Sequence, residues 1–225
     1  MPQIIQLKNI KKTYKLKEKT LTIFDGFNFE IEQGKMTAIM GRSGAGKSTL
    51  LQIMSMLDKP DSGEISIGGQ NIDYNNPKIV FETRAKDISF VFQSFYLQPE
   101  LTVLENVELP LSVQGIDRAV RKEKALEVLE YLGIKDKANN MPSQISGGQI
   151  QRVAIARAIV SNPKIIFADE PTGNLDDQTT AEVLALFRQI QKKLGTTIVI
   201  VTHSPEVAQA CDFVFNLNTI SYENA

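Results

Sequence analysis

The chain has 225 residues, 42% of them hydrophobic, with 25 Lys and Arg set against 26 Asp and Glu. Such a chain can bury a substantial core as one large domain, while a formal net charge of −1 and a pI near 6.0 exclude an overall electrostatic drive towards nucleic acid. Cys211 is the single cysteine, which excludes an internal disulfide and fits a reducing compartment.

The first stretch, MPQIIQLKNIKKTYK, carries charges where a secretory signal needs an apolar run. No later stretch approaches the ~20 apolar residues of a membrane span. The chain is therefore expected to be soluble and to reach a membrane only through a partner. Next, KMTAIM is an apolar run of strand length, and it leads directly into GRSGAGKS and the apolar TLLQIMSML. The stretch Gly41 to Ser48 fits the pattern Gly, four residues, Gly-Lys-Ser/Thr, in the strand–loop–helix setting that gives the pattern its meaning. Its backbone N–H groups can wrap phosphates, Lys47 can reach the outer ones, and the Ser48 hydroxyl can ligate Mg²⁺. Thr49 opens the helix, whose dipole adds positive potential.

DSGEISIGGQNI alternates polar and apolar residues between glycine turns, so the first half reads as β-rich. DISFVF is a further short strand, ending at Gln93, a neutral amide able to reach a metal ion or a water. From about Thr102 to Ile159 the pattern becomes helical. AVRKEKALEVLEYLGI places Ala125, Val128, Leu129 and Leu132 on one face, which reads as core packing, and ends at Gly133. PSQISGGQIQRVAIARAI then holds a second Gly-containing loop that opens a helix near Gln149, again suited to an anion.

KIIFADE and TTIVIVTH read as buried strands separated by the helical TTAEVLALFRQIQKKLG, a βαβ unit with a parallel sheet. The first ends in Asp169 and Glu170, placed at the carboxyl edge where open α/β sheets hold ligands. Alternation along a strand would send these two acids opposite ways. In phosphate-loop ATPases the first such acid holds the magnesium shell, and the second can orient or deprotonate an attacking water. His203, the only histidine, ends the second strand, within reach of the same crevice if the strands are parallel neighbours.

Tyr14, GRSGAGKST, Gln93, ISGGQ, IIFADE, GNLD and His203 together resemble, in order and approximate spacing, an ATP-binding-cassette ATPase subunit over nearly the whole chain. The resemblance implies an α/β phosphate-loop fold with a mainly parallel sheet, an N-terminal antiparallel β subdomain and an inserted helical subdomain. It implies a core of about residues 1–93 and 161–225, with helical residues about 94–160 inserted. It also implies a head-to-tail dimer in which each ATP lies between one subunit's phosphate loop and the other's signature loop, Ser146, Gly147, Gly148 and Gln149.

By position, Tyr14 matches the aromatic that stacks on adenine, although an ordinary half-buried strand tyrosine is the alternative. Gly41, Arg42, Ser43, Gly44, Ala45, Gly46, Lys47, Ser48 and Thr49 match the phosphate loop. Ser48, Gln93 and Asp169 match the Mg²⁺ neighbourhood, Glu170 the catalytic base, His203 the γ-phosphate contact and Asp176 the loop that communicates across the dimer.

EPTGNLD with LTVLENVELPL further resembles the macrolide-exporter, lipoprotein-release and peptide-antibiotic-resistance group. There, the segment about 94–114 touches a cytoplasmic helix of an integral-membrane permease, on the inner face of the membrane. The alternative for its apolar residues is packing within the helical subdomain. The expected function is hydrolysis of ATP to power a permease; a mechanotransmitting ATPase without substrate transport is the alternative. A DNA-clamping ATPase would need a long heptad run between the halves, and residues 50 to 140 hold none. Three departures stand out: Ile145 for the usual leucine, Ser204 where Asp is frequent, and NLNTISYENA lacking the usual Asp-Gly turn. No C-terminal regulatory domain is expected.

Overall fold

The computed structural model describes residues 2–16, 19–173 and 175–217. The turn and last strand expected after Leu217 lie outside these residues, as does Asn174 of GNLD. The first two strands, β1 (Gln3–Leu16) and β2 (Lys19–Glu32), form a long antiparallel pair. With β4 (Ser62–Ile67) and β5 (Gln70–Asn71) they make a four-stranded sheet in the order β2-β1-β4-β5.

A second sheet has the order β6-β7-β8-β3-β9. Its members are β3 (Met36–Met40), β6 (Ile88–Phe92), β7 (Ile165–Asp169), β8 (Thr197–Val201) and β9 (Phe213–Asn216), and all its pairings are parallel. Alternation decides which layer each side chain joins. Ile165, Phe167, Val199 and Val201 pack towards the antiparallel sheet and α1 (Lys47–Met54). Ile166, Ala168, Ile198 and Ile200 point into the other core, with the helices of the opposite face. Burial on both faces explains why these strands read as unbroken apolar runs.

Except for α1, which follows Gly46 without a side-chain cap, the α-helices begin where capping side chains supply the acceptors that the first turn lacks. The helix α2 (Pro77–Asp87) is capped by Asn76 with proline at its first position, and α3 (Val103–Val113) by a reciprocal box between Thr102 and Glu105. Asp117 caps α4 (Arg118–Tyr131), Ser146 and Gln149 form a second box at α5 (Gly147–Ile159), and Asp176 caps α6 (Asp177–Leu194). The short α7 (Pro205–Gln209) is capped by Ser204. On α4, Ala125 and Leu129 are buried, as the periodicity predicts, while Val128 lies at the margin. The helices α3, α4 and α5 pack on one another, with α5 also against β6.

Register fixes the location of the crevice. Phe92 lies beside Asp169, Asp169 beside Val201, and Val201 beside Ile39. The carboxyl ends of β3, β6, β7 and β8 therefore share one edge, and the residues that follow them emerge together.

Candidate functional site

Between β3 and α1, the loop Gly41 to Gly46 turns tightly, with the Ala45 N–H donating to the Arg42 carbonyl at 3.2 Å. Gly46 has φ +92°, and a Cβ there would stand 2.8 Å from Ile23 Cγ2, so β2 presses on the loop where only glycine fits. Lys47 bends back to donate to the Gly41 carbonyl at 2.7 Å and the Arg42 carbonyl at 3.0 Å. Arg42, Ser43, Gly44 and Ser48 are exposed, whereas Thr49 is buried against the core and fixes the helix. The loop thus presents an exposed hydroxyl and a lysine ammonium across the start of a helix with no acid in its first turn.

On the neighbouring strands, Asp169 ends β7 and Glu170 lies beyond it with φ +45°. The strand ends at Asp169 and the chain turns left-handed at Glu170, so the alternation expected along a continuing strand does not apply to this pair. A non-glycine residue in that region is strained, and a following proline, here Pro171, adds its own restriction. The turn is pinned by the Glu170 N–H donating to the Val201 carbonyl at 2.9 Å and the Gly173 N–H donating to the Glu170 carbonyl at 3.1 Å.

Both oxygens of Glu170 have partners: His203 Nδ1 lies 2.7 Å from Oε1, and the Thr202 hydroxyl donates to Oε2 at 3.1 Å. A carboxylate can only accept, so the facing ring nitrogen of His203 carries the proton. The imidazole itself is mostly exposed. Burial, then the Glu170 charge, pushes the Asp169 carboxyl above its ordinary value, and Lys47 opposes the shift. Gln93 closes the group, because a Cβ on Gly173 would stand 2.7 Å from its Nε2. The structure thus gathers Lys47, Asp169, Glu170, His203 and Gln93 at one sheet edge.

The second loop is built as a helix cap. The Gln149 N–H donates to Ser146 Oγ at 3.4 Å, and the Ser146 N–H donates to Gln149 Oε1 at 2.9 Å. The helix starts at Gly147, two residues before the sequence pattern placed it. Cβ atoms on Gly147 or Gly148 would meet nothing within 4 Å. Tyr14, partly buried on β1, donates its hydroxyl to Asp58 at 2.9 Å and carries Lys12 Nζ 4.9 Å from its ring centre. Asp176 accepts from the Thr179 N–H at 2.9 Å and from its hydroxyl at 2.8 Å, and these hydrogen bonds keep its carboxyl below the ordinary range.

Three residues that serve this site escape sequence reasoning. Thr202 is buried, gripping Glu170 while accepting the Ser204 N–H at 3.0 Å. Gln151 is fully buried on α5 and donates to the Pro171 carbonyl at 3.1 Å, bracing the strained turn. Arg157, farther along α5, donates to the Tyr96 carbonyl at 2.6 Å and the Phe95 carbonyl at 2.5 Å, just after Gln93. Their signal was a polar residue on an otherwise apolar helix face or strand end. In the segment 94–114, Val103, Leu104, Val107 and Leu111 are buried and pack within the helical part, whereas Tyr96 is 63% and Val113 58% exposed.

Among the described residues, no three His, Cys, Asp or Glu side chains cluster to hold a metal. The donors that do meet the crevice, the Ser48 hydroxyl, the Asp169 carboxylate and the Gln93 amide, are hard oxygen ligands. They are too few to saturate a cation alone and suit Mg²⁺, which keeps waters and shares phosphates. The raised Asp169 carboxyl fits a place that gains from a cation. No helix among the described residues is long and apolar enough to cross a membrane.

Comparison with known proteins points the same way. Residues 24–173 match the ABC transporter family. The chain is 42% identical over 214 residues to the lipoprotein-releasing system ATP-binding protein LolD of Rickettsia prowazekii (strain Madrid E), covering 95% of each. It is 44% identical over 210 residues to the methionine import ATP-binding protein MetN 1 of Oceanobacillus iheyensis, covering 93% of this chain and 62% of that one. Among solved structures, the dimeric post-hydrolysis state of the ATP-binding cassette MJ0796 bound to ADP and Pi superposes with a TM-score of 0.84. That match is at 41% identity and covers 94% of this chain and 93% of that one.

Proposed function

The chain belongs to the ABC transporter family as an ATP-hydrolysing subunit, and on that footing we propose that two copies sandwich two ATP molecules and power a membrane permease. The loop at Gly147 and Gly148 carries this reading. A Cβ added at either glycine would meet nothing within 4 Å, and the helix N-terminus is capped and dipole-charged for an anion. A phosphate supplied by a second copy's phosphate loop accounts for that space.

In the composite site, Gly41 to Thr49 wrap the phosphates and Lys47 swings from its carbonyls to the outer ones. Tyr14 stacks on the base with the ring face opposite Lys12. Ser48, Gln93 and Asp169 hold Mg²⁺, which supplies charge neutralisation on the phosphate oxygens when bound. Glu170 takes the proton of the attacking water, and its backbone strain and two hydrogen bonds keep it aimed. His203 turns its exposed edge to the γ-phosphate, and Asp176 faces the neighbour's loop. The core, about residues 1–93 and 161–225, is served by the inserted helical part, about 94–160.

The permease partner docks along 94–114, where Tyr96 and Val113 remain uncovered, and holds the subunit at the inner membrane face. The GNLD and ENVELPL segments support export or extraction of the macrolide, lipoprotein or antimicrobial-peptide type as the transport reading. Glu170→Gln is the direct test. It should bind ATP and form a lasting dimer by size exclusion, with hydrolysis reduced about 100-fold or more; near-normal turnover would sink the assignment of the base.

A further inference from the structure

Lys12 is only 6% exposed, although its strand neighbour Lys11 lies in solvent. Its ammonium has three partners: Nζ lies 2.8 Å from Asp58 Oδ2, donates to the Lys59 carbonyl at 2.8 Å and stands 4.9 Å from the centre of the Tyr14 ring. The same Asp58 oxygen accepts the Tyr14 hydroxyl at 2.9 Å. Three residues on, Asp61 Oδ2 accepts the Thr13 N–H and hydroxyl, each at 2.7 Å, and the Asp61 N–H donates to the Lys11 carbonyl at 2.8 Å. The turn that follows α1 therefore grips β1 on both sides of Tyr14. Burial works against the Asp58 charge, but the hydrogen bonds from Lys12 and Tyr14 outweigh it and hold its carboxyl below the ordinary value. A buried ion pair of this kind contributes little net stability. Its distinctive effect here is geometric.

We propose that Asp58 and Lys12 are positioning residues for the nucleotide base: they fix the Tyr14 ring in advance, Asp58 through the hydroxyl and Lys12 against one face, leaving the other face for adenine. The proposal rests on the reading of Tyr14 as the stacking aromatic and adds what orients it. The two residues divide the task. A phenol oxygen lies on the ring's own rotation axis, so its charge-assisted hydrogen bond fixes where the tip points. Rotation about that axis is otherwise broad, and the ammonium against one face restricts the plane. An untethered ring would have to be ordered as the base arrives, which costs affinity. Because α1 begins at the phosphate loop and the turn after it carries Asp58, one element sets both the phosphate grip and the base platform.

The test compares Mg²⁺-ADP with Mg²⁺-pyrophosphate, which lacks the base, titrated into the full chain by calorimetry. Tyr14→Phe keeps the ring and removes the donor, and Lys12→Met with Asp58→Leu removes both charges without stranding either. The first should weaken ADP about 3-fold and the second about 10-fold, with pyrophosphate unchanged. Tyr14→Phe added to the charge-free pair should cost nothing more, since the lost contact is shared. Equal weakening of both ligands would show that the pair merely supports α1 and would overturn the proposal. Tyr14→Ala separates the two readings. If it leaves ADP binding intact, the stacking reading fails and the proposal with it; if it weakens ADP alone while the charge-free pair binds like the parent, only the positioning fails. Should the charge-free pair not fold, Tyr14→Phe decides by itself, and parental ADP affinity in it would overturn the proposal.

Discussion

Asp169 is a carboxylate kept where charge is expensive. Burial and the neighbouring Glu170 raise its pKa from 3.8 against the pull of Lys47. The folded chain then holds a proton that the unfolded chain has released, so stability falls as pH climbs from 3.8 through the raised value, and the full penalty persists at neutral pH. Asp169→Asn should consequently melt higher than the parent at pH 7 without nucleotide, and the gain should vanish near about pH 4, where the parent is protonated as well. Magnesium and ATP should stabilise the parent more than the variant, since they supply the missing countercharge. Thermal melts at two pH values, with and without nucleotide, decide it. An unchanged or lower melting temperature for the variant at pH 7 would refute the account. Glu170 illustrates a different economy: its left-handed backbone before Pro171 is tolerated because Val201, Gly173, Gln151, Thr202 and His203 hold the turn from several sides.

Among the elements, α3 rests on its beginning. Thr102 accepts the Glu105 N–H at 3.2 Å, and Glu105 Oε2 accepts both the Thr102 N–H and its hydroxyl at 2.8 Å. Fully buried Asn106 ties the preceding loop down by accepting the Gln98 N–H and donating to the carbonyls of Gln98, Leu101 and Thr102. Thr102→Ala should cost about 1 kcal/mol of stability by urea unfolding, and a change within a few tenths would show that the box contributes nothing. The strand ends were readable in advance because a buried parallel strand advertises itself as a continuous apolar run and register puts all such ends at one edge. Gln151, Arg157 and Thr202 were not, because their side chains act across the fold, and in sequence they sit inside stretches that look like plain core. The alternation argument for Asp169 and Glu170 failed for a related reason: a single torsion at Glu170, invisible in composition, ended the strand one residue early.

For the whole molecule, the proposed sandwich implies that neither anion-binding loop is complete within one chain. Ser146→Arg obstructs the space over Gly147 but leaves the phosphate loop alone, whereas Lys47→Ala does the reverse. Each variant alone should be nearly inactive. Mixed in equal amounts and allowed to exchange, they should recover roughly a quarter of the parental rate, because half of all dimers are mixed and each mixed dimer retains one intact composite site. No recovery in the mixture, with both variants folded and exchanging, would argue against shared sites. The sequence disclosed both loops but not the emptiness above one of them, which is a property of packing.

Helix α5 meets three places at once: Ser146 at its tip, Pro171 through Gln151, and the Phe95–Tyr96 carbonyls through Arg157. Such a rod is a seesaw whose fulcrum is a buried amide. At 1.5 Å of rise per residue, rocking it by about 5° about Gln151 displaces the two ends by roughly 0.7 Å in opposite senses. That distance is enough to make or break a hydrogen bond at either end, so a push on the Arg157 end would arrive at the tip as a counter-stroke.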